Sequence, residues 1–561
     1  MLISLNWLRD YVDLPADIDP HEFAERVTRT TAEVEGVSPI TVQAKGVIAA
    51  RIVSLSDIPG TAKVRLAVLD VGNGKTVETV TGAPALADGA NVVYAPDGSS
   101  VAAYGTIKST KVSGHRSSGM ILPGSAVGIS LAAGDAVFLD AEFKPGEPLP
   151  PDLFEDWTIE IDNKSITHRP DLWGCYGMAR EIAAIFGLPL KPYPVVPLEE
   201  LTATESPEIP ISIADADACR RYTGLLLTGV PTQPAPLWMQ LRLGHIGLRP
   251  ISGLVDLTNY IMADLSQPMH AFDAGNVDRI EVDWAKEGET FRTLDDVERK
   301  LTSKELMIQC HGRSIAIAGV MGGGDTEVHE GTRSLLLESA NFEPATIRRT
   351  ATRMGMRTDA SARFEKSLDP ENTVLAIQRF VELARPMYAN MKLAGRLSDC
   401  FPRPPAATTV SVDPRHVART MGRPVSLEEA DKLLAPLGFK TEADDSMWRV
   451  RVPSYRAAND VSIEADIIEE IARYVGYDTI EPEMPRVSMR RFAPHALHEL
   501  EQRTLEYFTS VQRFNEIHGY LWYDGQWLAK LETDPGPCVT LKNPASDGME
   551  RMRRDLLPGM L

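Results

Sequence analysis

Proline punctuation limits how this chain can fold more than any other feature. Between residues 187 and 210, Pro189, Pro192, Pro194, Pro197, Pro207 and Pro210 interrupt any regular element, because each fixes φ and removes an amide donor. A second break, Phe401-Pro402-Arg403-Pro404-Pro405, lies further on, and another Pro-rich stretch runs from Lys144 to Leu153. A chain of 561 residues divided in this way must build several cores, roughly three to five at about 150 residues each. With 43% hydrophobic and 24% charged residues, the segments have the composition of ordinary globular domains. No stretch approaches the ~18 apolar residues of a membrane helix, and Arg9 and Asp10 stand where a secretory core would lie. We therefore expect a cytoplasmic protein with no membrane partner. Cys175, Cys219, Cys310, Cys400 and Cys538 are dispersed without a CxxC pair, so neither a disulfide framework nor a sequence-local zinc site is suggested; buried thiols are expected.

Within these limits the texture changes along the chain. Residues 1–38 read as a strand (Leu2-Ile3-Ser4-Leu5) and a helix after Asp19, a piece too small for a core of its own. Residues 39–149 are short runs rich in Val, Ala and Ile broken by Gly, Pro, Asn and Asp, which predicts a small all-β barrel. A strand over Thr158–Asp162, the run from Asn163 to Asp171 and a helix stopped by Gly187 follow. Residues 211–390 form a mixed α/β segment. Residues 406–485 form a compact unit with a Ser426…Glu429 capping box and a long helix from about Val461 to Val475. From 490 to 561 a helix and a strand-like stretch end on an apolar run, which reads as an interrupted domain.

The net charge of −20, from 58 basic and 78 acidic residues, argues against a protein that coats nucleic acid nonspecifically. It leaves room for local basic surfaces: residues 39–149 carry nine basic and nine acidic groups, and Arg348, Arg349, Arg353, Arg357, Arg363 and Lys366 crowd one window. These can meet phosphate or serve as solvated helix charges. Asp466, Glu469 and Glu470 share one side of a helix, with Asp460 just before it. Clustered carboxylates suit Mg²⁺, although an acidic helix start favoured by the macrodipole has the same pattern. His270 sits between apolar neighbours, Gly319 to Gly324 is rich in glycine, and Glu338 ends the apolar run Leu335-Leu336-Leu337. A carboxylate in such a run needs partners, either within the fold or from a ligand. GxSxG and HExxH are absent, and Gly74-Lys75-Thr76 lacks the earlier glycine of a P-loop because Leu69 holds that position.

Taken in order, Val255-Asp256-Leu257-Thr258-Asn259-Tyr260, Gln267 to Asp273, Gly319 to Gly323, Leu337-Glu338-Ser339-Ala340, Thr358 to Glu365 and Asp466 to Arg473 resemble the bacterial phenylalanyl-tRNA synthetase β-subunit family. The resemblance extends over essentially the whole chain. It implies a multidomain α+β fold: an N-terminal piece (1–38) packed with 150–200, an OB-type barrel insert (39–149), an α/β editing domain (211–390), a small helix–strand domain (406–485) and the incomplete start of a class II synthetase-like core (490–561). It further implies an α2β2 ligase whose α subunit activates phenylalanine with ATP and charges tRNA(Phe). The β subunit would contribute tRNA contacts and hydrolyse mischarged tyrosyl-tRNA(Phe). On this resemblance Thr258, Asn259, His270, Gly322, Glu338, Thr358 and Ala360 would line the editing pocket, and Asp460, Asp466, Glu469 and Glu470 would hold Mg²⁺ near the α subunit.

The chain departs from the family pattern at two places. A His-Pro-Asn-Ala-Asp-Lys-Leu stretch common in the barrel is here Ile58-Pro59-Gly60-Thr61-Ala62-Lys63-Val64, which puts tRNA contact through that domain in question. The sequence also stops where the family continues through its core, so a truncated chain is expected. A scaffold without editing activity and a stand-alone deacylase are the alternative readings.

Overall fold

Leu335, Leu336 and Leu337 follow one another without a polar gap because the strand that carries them is covered on both faces, which removes the usual in–out alternation. That strand, Ser334–Phe342, organises the centre of the protein. The computed structural model describes residues 1–560 except 42–43, 62, 84–85, 130–134, 151–152, 204–205, 276, 483, 490–492, 494, 533 and 535. Ala62, Pro151, Asp152 and Leu561, used in the reading above, lie outside the described residues. The chain forms two units, Met1–Glu481 and Pro482–Leu561.

In the first unit, Leu2–Ser4 pairs antiparallel with Asp156–Ile161, whose other edge pairs with Val34–Ile40. The opening residues thus borrow a sheet, and a core, from the segment after residue 150: Trp7, Tyr11 and Phe23 are buried with Met178 and Ile182. The Pro20–Thr30 helix begins at Asp19, whose side chain accepts from the His21 amide at 2.9 Å. The Cys175–Phe186 helix ends at Gly187, φ 63°. Near its start Gly177 meets the turn before it: a Cβ there would lie 1.9 Å from the Asp171 carbonyl oxygen.

Residues 48–139 hold a six-stranded antiparallel sheet in which Gly119–Ile121 and Thr76–Thr81 are the end strands. The two ends meet. Ser118 N donates to Glu78 O at 2.9 Å and Thr79 Oγ1 to Gly119 O at 2.8 Å, so the sheet curls into a nearly closed barrel.

Two sheets lie in the next segment. The first runs Met269–Asp273, Ser334–Phe342, Cys219–Thr228 and Lys392–Leu393. The second runs Ile211–Ile213, Ile280–Trp284, Leu306–Cys310, Arg313–Ile317 and Met321–Gly322. Strand parity divides their cores. Leu335 and Leu337 face the Gly253–Leu265 and Asn372–Met387 helices in the core shared with the N-terminal piece. Leu336, Ala340 and Phe342 face the second sheet, among Ile308, Ile315 and Ile317.

The unit after residue 406 is a three-stranded sheet, ordered Thr409–Val412, Met447–Arg451, Lys440–Asp444. It packs with the Pro414–Met421, Leu427–Leu434 and Glu464–Val475 helices. Only half of the expected capping box forms: Ser426 accepts from the Glu429 amide at 3.1 Å, but the Glu429 carboxylate turns to Arg423, 2.7 Å away. In Pro482–Leu561, an Ala496–Glu506 helix precedes a Trp522–Tyr523 strand paired with Arg551–Met552, and Leu500, Phe508 and Phe514 are exposed.

A buried ion network ties the N-terminal piece to the 406–485 unit. Arg473 donates to Glu181 at 2.7 Å and to Glu470 at 2.6 Å. Arg456 donates to Glu470 at 2.8 Å and pairs with Asp460, and Arg169 spans Asp171 and Glu181 at 2.8 and 2.6 Å. Burial alone would lift the Glu181 carboxyl, but Arg473 and Arg169 beside it hold it well below the usual carboxylate range. Removing one arginine strands its partners away from water, so Arg456→Ala should cost about 3–5 kcal/mol. Calorimetry of this variant should show a markedly lower melting transition; a shift no larger than that of an exposed Arg→Ala control would contradict the assignment.

Candidate functional site

Parity places three polar groups on the inner face of the first sheet. Glu338 shares that face with Leu336 and Ala340, His270 shares it with Phe272, and Tyr222 joins them in the same core. His270 and Glu338 are directly opposed on paired strands. The Tyr222 hydroxyl donates to Glu338 Oε2 at 2.5 Å, while among the described residues Oε1 receives no hydrogen bond. Burial pushes the Glu338 carboxyl up to about 7, against the opposing pull of the Tyr222 bond. His270 is half-buried, yet its Nε2 is shut off from solvent and, among the described residues, has no partner. Burial lowers its imidazole to about 4, so the ring is neutral at neutral pH.

The second sheet closes the space above this pair. A Cβ on Gly322 would lie 2.8 Å from His270 Cε1 and 3.0 Å from Nε2, so glycine is needed for the imidazole to fit. His270 itself fills the space beside Gly322. Thr358 donates to the Val320 carbonyl at 3.0 Å and caps the Asp359–Phe364 helix, which anchors the glycine-rich turn. Ala360 packs at the edge of the same core. Thr258 and Asn259 lie on the Gly253–Leu265 helix, whose apolar residues belong to the other core. Thr258 Oγ1 bonds back to Val255 O at 2.8 Å, and among the described residues neither side chain bonds to Glu338 or His270. Tyr222 was not singled out from the sequence. The pairing of its strand with the one carrying Glu338 was the signal, and that pairing spans more than a hundred residues.

The basic window is largely neutralised where it stands. Arg353 pairs with Glu305 at 2.6 Å, Arg357 and Lys366 with Glu365 at 3.1 Å, and Arg363 with Asp359 at 3.5 Å. Arg357, Lys366 and Lys164 nevertheless line an open cavity of about 580 Å³ whose wall includes Thr358.

The four acidic residues near 466 do not converge on a common point. Asp460 is paired with Arg456 and lies 3.5 Å from Arg169, and both Glu470 oxygens accept from Arg456 and Arg473. Asp466 Oδ2 accepts from the Ser462 and Ile463 amides at the start of its helix, at 2.7 and 2.9 Å. Glu469 is exposed. Helical spacing put these carboxylates side by side, but arginines from other segments claim two of them. The residues as arranged do not fit a four-carboxylate magnesium site, and among the described residues no three of them bring donor atoms within 4.8 Å of one another. Of the five cysteines, Cys175, Cys219 and Cys310 are buried, Cys400 and Cys538 are partly exposed, and all five are free thiols.

Comparison with known families assigns the parts. Residues 47–148 match the "Putative tRNA binding domain" family, 218–387 the B3/4 domain family and 410–477 the tRNA synthetase B5 domain family. Together these define a chain of an aminoacyl-tRNA synthetase. Proteins named phenylalanine–tRNA ligase beta subunit are similar along the whole chain. That of Solibacter usitatus is 38% identical over 564 residues, covering 100% of this chain and 71% of its own length. Those of Anaeromyxobacter dehalogenans and Salinibacter ruber are 35% and 34% identical and are covered over 70% and 69% of their lengths. The chain belongs to the phenylalanine–tRNA ligase beta-subunit family.

The raised Glu338 carboxyl has a consequence for stability. Between about pH 4.5 and 7 the folded protein keeps a proton that the unfolded chain has released, so Glu338 favours folding below this window and loses that contribution as pH rises through it. Its amplitude is on the order of 3 kcal/mol. His270 acts with the opposite sign, adding stability as pH rises from about 4 to 6.5. Glu338→Gln should therefore remove the falling component. The gap in melting temperature between variant and wild type, followed from pH 5 to 7, should move in favour of the variant by several degrees; parallel curves would refute the buried-carboxyl assignment.

Proposed function

We propose that this chain serves as the β subunit of a phenylalanine–tRNA ligase and that the space between its two central sheets hydrolyses tyrosine mischarged onto tRNA(Phe). The observation that carries the reading is the Glu338 carboxyl, held between apolar sheets with Tyr222 on one oxygen and the other oxygen open. A tyrosine side chain entering there would offer its hydroxyl to Oε1, whereas phenylalanine would leave a desolvated acceptor without a donor. Tyr222 holds Glu338 in place with the same phenol-to-carboxylate bond. His270, neutral and with Nε2 unpartnered, is the group placed to orient a water or the ester carbonyl. The phosphate backbone of the tRNA end would approach through the cavity that Arg357, Lys366 and Lys164 line.

The remaining assignments follow the family. The partner is the α subunit, in an α2β2 tetramer that uses ATP and Mg²⁺ in the cytoplasm, and the barrel of residues 47–148 is an OB-type tRNA contact despite its altered Ile58 to Val64 loop. Pro482–Leu561 is the beginning of the synthetase-like core. Among the described residues no helix is long and apolar enough to cross a membrane. On this chain Asp466 and Glu469 are the carboxylates open to a hydrated Mg²⁺, which keeps most of its waters.

Two measurements test these readings. Hydrolysis of tyrosyl-tRNA(Phe), by the chain alone and with the α subunit, should fall at least about tenfold in Glu338→Ala and less in Tyr222→Phe, which frees the carboxylate without deleting it. Unchanged hydrolysis in Glu338→Ala would overturn the editing assignment. Glu469→Ala should alter the Mg²⁺ dependence of assembly or aminoacylation; superimposable magnesium titrations would remove that residue from the metal reading.

A further inference from the structure

At one end of two inner strands of the second central sheet, antiparallel pairing of Ile280–Trp284 with Leu306–Cys310 sets Glu281 opposite Gln309. Continuing that register brings the residues just before Ile280 alongside the turn after Cys310. The turn is tight: His311 and Gly312 both have positive φ, 51° and 68°, and Gly312 N donates to Glu281 Oε2 at 2.8 Å. Three donor atoms of different kinds meet there. Asp278 Oδ1 lies 2.8 Å from His311 Nε2 and 3.6 Å from Cys310 Sγ, and all three donors fall within 4.8 Å of one another. Among the described residues this is the only group of three or more His, Cys, Asp or Glu side chains so gathered. The neighbouring cations do not oppose an ion, because Arg279 pairs with Glu281 at 3.2 Å and Arg313 pairs with Asp325.

We propose that Asp278, Cys310 and His311 form a site for a borderline-soft divalent ion of the Zn²⁺ class, with water as the fourth ligand. One thiolate, one imidazole and one carboxylate are the donor types such an ion takes, in tetrahedral geometry with bonds of about 2.0–2.3 Å. A sulfur and an oxygen on such an ion stand roughly 3.5 Å apart, close to the separation of Cys310 and Asp278 in the metal-free arrangement. The imidazole and carboxylate, now hydrogen-bonded to each other, need only open by a few tenths of an ångström. Binding transfers the Cys310 thiol proton to solvent as the Zn–S bond forms, so affinity rises with pH. The ion would clip the Leu306–Cys310/Arg313–Ile317 hairpin to the chain entering Ile280–Trp284. Among the described residues none of the three side chains hydrogen-bonds to Glu338 or His270, and neither the editing reading nor the magnesium reading depends on the site.

Cobalt(II) titration of the purified 561-residue chain tests the proposal, since a thiolate ligand gives a sulfur-to-cobalt charge-transfer band and tetrahedral coordination gives intense d–d absorption. We expect one equivalent to produce both signals, Zn²⁺ to displace the cobalt, and Cys310→Ser to abolish the charge-transfer band. Asp278→Asn and His311→Asn, the latter chosen because asparagine tolerates the left-handed turn, should each weaken Zn²⁺ binding at least about tenfold in competition with a chromophoric chelator. Cys400→Ser and Cys538→Ser should leave both signals intact. Absence of the band in the wild-type chain, or a band that survives Cys310→Ser, would overturn the assignment.

Discussion

The first unit depends on a set of charges that are largely buried. Arg169, Arg180, Arg456 and Arg473 face Asp171, Glu181, Asp460 and Glu470, four positive groups against four negative, in contacts that include both members of each domain pair. Desolvating eight ionised side chains is expensive, and their mutual attraction offsets that cost only when the geometry is complete. Such a network adds little to stability over an apolar contact of the same size, yet it penalises every misregistered alternative with unpaired buried charge. It makes the docking of the Glu464–Val475 helix against the Cys175–Phe186 helix a matter of matched partners rather than of general stickiness.

The same requirement reshapes the acidic helix. Along the sequence, Asp466, Glu469 and Glu470 are all carboxylates, and helical spacing sets them on one side of the helix. In the fold they have three fates: Asp466 turns back to cap its own helix, Glu469 stays in water, and Glu470 is drawn into the network by Arg456 and Arg473. Burial would raise the Glu470 carboxyl, but the bonds and charge of Arg456 and Arg473 hold it down at about 2. A carboxylate committed so fully to Arg456 and Arg473 matches neither an open metal ligand nor the solvated helix start that spacing alone allowed for that residue.

Local signals in the sequence translated well where the physics is local. Asp19, Gly187 and Ser426 mark helix ends because capping involves residues only a turn apart, and the structure places an end at each. Tyr222 beside Glu338, Arg473 beside Glu181 and Asp278 beside Cys310 were not legible, since each pair is joined by strand register or domain docking across 116, 292 and 32 residues. The grouping of Thr258 and Asn259 with His270 rests on the resemblance: they lie on the Gly253–Leu265 helix, whose apolar residues join the core on the other side of the sheet.

Placing Glu338 on the inner face of a doubly covered strand leaves the chain few options for it. With a single hydroxyl donor, the carboxyl settles between protonated and ionised near neutral pH. A second donor would fix it as a carboxylate, and an apolar neighbour would keep it protonated, so its charge state reads the identity of whatever occupies the space beside it. A phenol supplies that donor and a phenyl ring does not. On the proposed reading, the cost the fold bears by burying an under-satisfied acid would be the source of its discrimination: a fully bonded glutamate would make the domain more stable and leave nothing for a tyrosine hydroxyl to complete.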